Sequence, residues 1–184
     1  KQPDSVLICS CSNLIPVKQV DKIVEVISNL SAKNIRWVHF GDGPLRSELE
    51  QSAQEKLPNV QYEFRGIVAN DKILDFYAEN HVDLFINLSA SEGIPVSIME
   101  ALSAGIPVVA TNVGGTAEAV NNKNGFLIPA NFDCNNVAQI IDNYLNSPNS
   151  EQNTYRQNAY DFWKENYEAG KNYGEFLRCV LDES

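Results

Sequence analysis

Residues 82–105, VDLFINLSASEGIPVSIMEALSAG, decide the fold. Val82–Leu88 is a nearly unbroken apolar run, as expected of a parallel strand covered on both faces. Ser89–Pro95 carries small residues and one glycine, which suits a loop. Pro95 then opens a helix that ends at about Gly105. The stretch is one strand–loop–helix unit, and the same grammar recurs on both sides of it. Further strands are expected at Ser5–Cys11, Ile35–Gly41, Val60–Gly66, Pro107–Thr111 and Gly125–Ile128. Between the first two, Val20, Ile23, Val24, Ile27 and Leu30 repeat at helical spacing and form one apolar stripe. Pro44–Lys56 reads as a helix opened by proline, and Asn70 is placed to cap a helix carrying Ile73, Leu74 and Tyr77. Six such units predict a doubly wound, parallel six-stranded α/β sheet with right-handed crossovers.

Ligands of such sheets bind outside the carboxyl ends of the strands, at the switch in strand order. The loops to read are therefore Ser12–Lys18, Gly41–Pro44, Gly66–Asn70, Ser89–Pro95 and Asn112–Thr116. Composition narrows the ligand. Twenty-four acidic against fourteen basic residues give a net charge of −10. That excludes a general nucleic-acid surface, which needs a basic stripe, and leaves any anion site to helix ends and a few cations. The four cysteines, Cys9, Cys11, Cys134 and Cys179, have neither disulfide-framework nor metal-ligand spacing. Cys9 and Cys11 share one strand face, so reduced thiols of a cytoplasmic protein are expected. No apolar run approaches the roughly 18 residues of a membrane span, and the polar opening Lys1–Ser5 has no secretory pattern. After Asn146–Ser150 the pattern changes to aromatic helices. One stripe holds Tyr155, Ala159, Phe162 and Trp163, and another holds Tyr173, Phe176, Leu177, Val180 and Leu181. Such stripes are expected to pack on their own domain, with part of the surface turned toward a neighbouring one.

The chemistry concentrates in Ser91-Glu92-Gly93-Ile94-Pro95-Val96-Ser97-Ile98-Met99-Glu100. Glu92 stands just ahead of a helix whose first-turn amides have no helical partners and attract an anion such as phosphate. Gly93 lets the backbone approach a ligand closely. Glu100 lies five residues beyond Pro95, about 7.5 Å along the axis, among mostly small neighbours. A carboxylate with two acceptor oxygens suits a vicinal diol such as ribose. A bare pair of glutamates is more often a helix-end residue and a solvated helix residue, so the flanking sequence has to carry the assignment.

It does. Ser91-Glu92-Gly93-x-Pro95, then Glu100-Ala101-x-x-Ala104-Gly105-x-Pro107-Val108-Val109-Ala110-Thr111, then Gly114-Gly115-x-x-Glu118 resembles the signature of glycosyltransferase family four. These are retaining enzymes of the two-domain GT-B architecture, whose halves are Rossmann-like. The likeness extends through Val38-x-Phe40-Gly41-Asp42-Gly43-Pro44-Leu45, Phe64-x-Gly66-Ile67-Val68 and Asn124-Gly125-Phe126-Leu127-Ile128-Pro129. It covers about residues 5 to 147. The resemblance implies a donor-binding domain at 1–147 and C-terminal helices at 148–184 packing on it and toward an amino-terminal domain. It implies that Glu92 contacts the donor sugar, that Glu100 binds the ribose, and that amides at Ile94, Val96 and Ser97 face sugar and diphosphate. The base would lie against Ile67 and Val68, and Gly114 and Gly115 would form a close-approach turn beneath the donor.

One departure stands out. After its first strand the family usually shows Gly-Arg-x-x-x-x-Lys-Gly, whose two cations neutralise the diphosphate. Here Lys18 keeps the lysine, read as the start of a helix, while Asn13 replaces the arginine and brings hydrogen-bond donors without charge. Arg65, or a cation from the other domain, could compensate. His39 and His81 read as structural. The implied activity is transfer of a sugar from a nucleotide diphosphate-sugar to a sugar or lipid-linked acceptor. It would proceed without metal or other cofactor, with Glu92 and Lys18 at the catalytic centre. By analogy this belongs to polysaccharide or lipopolysaccharide assembly at the inner face of the plasma membrane. A degenerate, non-catalytic nucleotide-sugar-binding module and an epimerase-like enzyme are the alternatives.

Overall fold

The strand–loop–helix unit repeats along the described residues of the computed structural model, 5–93 and 95–168. The order is β1 (Val6–Cys11), α1 (Val20–Ser28), β2 (Ile35–Phe40), α2 (Arg46–Lys56), β3 (Gln61–Phe64), α3 (Asn70–Glu79), β4 (Leu84–Asn87), α4 (Val96–Ser103), β5 (Val108–Thr111), α5 (Thr116–Ala119), β6 (Gly125–Ile128), α6 (Cys134–Leu145) and α7 (Asn149–Asn166). The strands form one six-stranded sheet in the order β3-β2-β1-β4-β5-β6, with every pairing parallel. The doubly wound, Rossmann-like architecture expected from the sequence is therefore the one observed.

Alternation along each strand feeds two cores, one per face. Ile8, Trp37, Leu84 and Ile86 meet α1, α2 and α6 on one side. Cys9, Val38, Phe40 and Phe85 meet α3, α4 and α7 on the other. Cys9 and Cys11 lie on that same second face, and with Cys134 they are free thiols. The α1 stripe is buried at Val20, Ile23, Val24 and Ile27. At roughly 1.5–3 kcal/mol per fully buried large aliphatic side chain, these four fix the helix to the sheet. In the last helix, Ala159 is fully buried and Phe162 and Trp163 pack against the second core, while Tyr155 stacks on Phe126 beside the first. This stripe packs against both cores of the sheet. Tyr173, Phe176, Leu177, Val180, Leu181 and Cys179 lie outside the described residues.

Three local expectations are corrected. The helix assigned to Pro44–Lys56 begins at Arg46. The amide of Leu45 goes to the Leu14 carbonyl and that of Arg46 to Gly43, so the chain makes a turn against the neighbouring loop first. Asn70 does not cap its helix. Ala69, in extended conformation, occupies that position and receives the amides of Lys72 and Ile73. Lys18 ends a short 3-10 turn, Pro16–Lys18, rather than starting a helix. Gln19, in the left-handed region at φ 47°, separates it from α1. The strands are also trimmed at their ends, where β3 stops at Phe64 and β4 at Asn87.

Candidate functional site

At the carboxyl ends of the strands, where the order turns from β1 to β4, the loops enclose an open crevice of about 390 Å³. Its walls come from four segments far apart in sequence: Cys11, Ser12 and Asn13 at the end of β1, Phe40 and Gly41 at the end of β2, Ile67 and Val68 after β3, and Glu92 with the start of α4 after β4. Lys18, Asn70, Val96, Ser97 and Glu100 complete it. This is the place that the strand-order rule selects.

Glu92 sits five residues past the end of β4, in a loop rather than at the strand end, and it is fixed from both sides. Its Oε1 accepts hydrogen bonds from Asn87 Nδ2 at 3.0 Å and Ser89 Oγ at 2.6 Å. Its Oε2 accepts one from Lys18 Nζ at 2.8 Å. Burial alone would raise its pKa. The hydrogen bonds from Lys18, Ser89 and Asn87 outweigh burial and hold the carboxyl below its usual value, so it is ionised. The loop itself is clamped. The Ala90 amide donates to the Val17 carbonyl, bringing Lys18 alongside, and Thr111 Oγ1 donates to the Ser89 carbonyl.

Gly114 and Gly115 belong to that clamp and do not line the crevice. Gly115 donates its amide to the Gly93 carbonyl at 3.1 Å. Gly114 has φ +53°, and a Cβ there would stand 1.8 Å from the Glu92 carbonyl oxygen. Their close approach is to the loop that carries Glu92. Gly93 is the opposite case: a Cβ there would meet nothing within 4 Å. No packing among the described residues requires a glycine at 93, which leaves its bare backbone turned to open space.

Glu100 lies on α4, half-buried, and faces the crevice rather than bulk solvent. Asn70 Nδ2 donates to its Oε1 at 2.9 Å, and burial raises its pKa. The first helical hydrogen bonds of α4 run from Ile98 and Met99 back to the Pro95 carbonyl. The Val96 and Ser97 amides precede them and, among the described residues, remain available at the positive end of the helix. Val96 and Ile67 are exposed large apolar side chains, Ile67 to 89%, and they give the mouth of the crevice an apolar rim. Ile94 lies outside the described residues.

Asn13 is exposed on the wall of the crevice. Arg65 is not brought in. Its guanidinium stacks on Phe76 at 4.5 Å and pairs with Glu63 at 3.1 Å. His39 is fully buried in a directed chain beneath the crevice. Trp37 Nε1 can only donate and gives its proton to Ser10 Oγ at 2.9 Å. Ser10 then donates to His39 Nδ1 at 2.8 Å, and His39 Nε2 donates to the Ser12 carbonyl at 3.1 Å. Burial lowers its pKa to about 4. The neutral ring buttresses the loop that carries Ser12 and Asn13, which is the structural role expected. Asn70, Asn87 and Ser89 are the site residues that sequence reasoning did not single out. Among the described residues no group of three or more His, Cys, Asp and Glu side chains is placed to hold a metal, and no helix is long and apolar enough to cross a membrane.

Comparison with known proteins bears on this arrangement. The sequence profile described as glycosyl transferases group 1 matches residues 1–162. The gpi3 subunit of phosphatidylinositol N-acetylglucosaminyltransferase from Schizosaccharomyces pombe is 29% identical over 146 residues, 77% of this chain and 32% of that protein. Sulfoquinovosyl transferase SQD2 from Arabidopsis thaliana is 29% identical over 130 residues, 68% of this chain and 24% of that one. The chain thus spans about a quarter to a third of the length of these curated relatives. Among solved structures, Anabaena HepE in complex with UDP superposes with a TM-score of 0.82 at 21% identity, covering 97% of this chain and 49% of HepE. The C-terminal domain of a glycosyl transferase group 1 family protein, LpcC from Francisella tularensis, gives 0.76 at 20% identity, covering 89% of this chain and 87% of that domain. At such identities the likeness establishes the fold.

Proposed function

This chain belongs to the group 1 glycosyl transferases, and from that premise we propose that its crevice binds a nucleotide diphosphate-sugar for transfer to an acceptor, with retention of anomeric configuration, as in family four. The observation that carries the reading is the convergence of Glu92, Glu100, Lys18 and the first amides of α4 on one crevice at the switch in strand order. The diphosphate would lie at the α4 N-terminus against the Val96 and Ser97 amides, with Lys18 within reach. Glu100 would grip the ribose diol, and Glu92, stripped of water by its surroundings, would accept hydroxyl protons of the sugar. The base would rest against Ile67 and Val68. HepE, solved with UDP, makes uracil the first base to try.

In the transition state the C1–O bond to the diphosphate lengthens and negative charge grows on the leaving oxygens. Lys18 and the preorganised amides would stabilise that charge without reorganising. In this reading they do the work that a divalent metal does elsewhere, and no cofactor is required. In this reading residues 1–147 would form the donor-binding unit, and residues 148–184 would be its C-terminal extension, of which α7 is described. A second, amino-terminal domain would bring the sugar or lipid-linked acceptor and close over the donor to exclude water. On this account the isolated domain binds donor and turns over little. The setting we propose is polysaccharide or lipopolysaccharide synthesis, in the cytoplasm or peripheral at the inner membrane face.

Thermal unfolding in the presence of UDP, GDP, ADP and their sugar conjugates tests the reading. At least one nucleotide should raise the midpoint by several degrees, as ligand at about 100 times its dissociation constant adds about 2.7 kcal/mol. A folded chain whose midpoint none of them moves would end the proposal.

A further inference from the structure

The crevice is poorly charged for a diphosphate. Among the described residues that line it, Lys18 is the one cation, and it shares the crevice with two carboxylates, Glu92 and Glu100. Nor is Lys18 idle. Its ammonium is 2.8 Å from Glu92 Oε2, with the two side chains only 21% and 9% exposed. Glu92 divides its partners unevenly. Asn87 and Ser89 both serve Oε1, whereas Lys18 is the side-chain donor on Oε2.

A diphosphate that draws the ammonium away leaves Oε2, in a largely buried carboxylate, without its donor and beside a second anion. An unmet acceptor on a buried charge is costly. A lysine has three protons and can bridge the two anions, but bridging holds carboxylate and phosphate within one ammonium of each other, where they repel. A hexose on the diphosphate changes the balance, because its hydroxyls are donors that can take the vacated place on Oε2. A bare nucleoside diphosphate has none at that point.

Building on the donor-site reading above, we propose that the Lys18–Glu92 pair is an exchange device that selects intact donor over product. The nucleotide sugar moves Lys18 onto the diphosphate and replaces it on Glu92 Oε2 with a sugar hydroxyl. The nucleoside diphosphate left after transfer cannot complete the exchange and is bound more weakly. The carboxylate that recognises the sugar is thus the same group that expels the product.

Calorimetry on the full chain with the probe pairs UDP and UDP-glucose, GDP and GDP-mannose, and ADP and ADP-glucose tests this on wild type, Glu92→Gln, Glu92→Ala and Lys18→Met. For the base that binds, wild type should prefer the sugar conjugate by about tenfold. In both glutamate variants the bare diphosphate should bind more tightly by about the same factor, which brings the preference to about one. Lys18→Met should weaken both ligands. If one glutamate variant fails to fold, the other decides. Equal affinities in wild type, or a diphosphate affinity that Glu92→Gln and Glu92→Ala leave unchanged or reduced, would overturn the exchange while leaving the donor site standing. Absence of binding by every member of every pair would overturn the donor site and the exchange together.

Discussion

Glu92 and Glu100 stand eight positions apart and line the same crevice, yet the fold treats them oppositely. Glu92 rides on a loop clamped by Val17, Thr111 and Gly115, and three side chains donate to its carboxylate. Glu100 rides on a helix, is half-buried, and takes one hydrogen bond from the exposed side chain of Asn70. Its pKa is pushed up by burial, while that of Glu92 is held down by its donors in spite of burial. Two like residues at one site therefore differ in what they need: one is preorganised by the protein, and the other is left under-supplied with donors until a ligand arrives. A diol offers two hydroxyl protons, which is what Glu100 lacks.

The contrast breaks first at Gly114. A methyl group there overlaps the Glu92 carbonyl, and φ +53° disfavours any side chain. Gly114→Ala should lower stability by about 3 kcal/mol, the scale of a steric clash combined with left-handed strain. Chemical denaturation measures it, and a loss near zero would mean that the loop is not clamped as described.

Replacing each glutamate by glutamine sharpens the comparison through pH. Glu92 has a lowered pKa in the folded chain, so its contribution is present above the unfolded value and fades as pH falls through the folded one. Glu92→Gln should cost about 1 kcal/mol at neutral pH and less in acid. Glu100 has a raised pKa, so the folded chain takes up its proton before the unfolded chain does, and stability from this group grows as pH falls. Glu100→Gln should leave neutral-pH stability unchanged or higher, by at most about 0.5 kcal/mol for a half-buried, partly screened group. Between neutral pH and about pH 4, near the ordinary carboxylate value, the unfolding midpoint relative to wild type should rise for Glu92→Gln and fall for Glu100→Gln; changes of the same sign would refute the asymmetry.

The smallest effect is expected at Gly93, where a side chain meets open space. Gly93→Ala should change stability by less than about 0.5 kcal/mol, as for an ordinary surface position. Nucleotide-sugar affinity should nonetheless fall severalfold. Unchanged affinity would show that no ligand backs onto this residue.

Much of the site was legible in sequence because its chemistry is local. Glu92, Gly93, Pro95 and Glu100 share one strand–loop–helix unit, whose period and punctuation place them. Asn70 was misread for the same reason. As the asparagine ahead of an apolar stripe it looks like a cap, and only the nearness of α4 diverts its amide to Glu100. Arg65 was a reasonable candidate by position and was claimed by an aromatic face and Glu63. The glycines at 114 and 115 carried a true signal, close backbone approach, but sequence could not say that the approaching backbone was that of Glu92.

Apolar runs, helical stripes and proline–glycine boundaries are short-range features, and by themselves they determined a doubly wound parallel sheet and the loops at its carboxyl edge. The tertiary structure alone decided the partners. Lys18 meets Glu92 across 74 residues and Asn70 meets Glu100 across 30, because parallel strands bring the ends of successive units side by side. Which side chain crosses the gap between two such ends depends on loop conformation and burial, and no local periodicity encodes either.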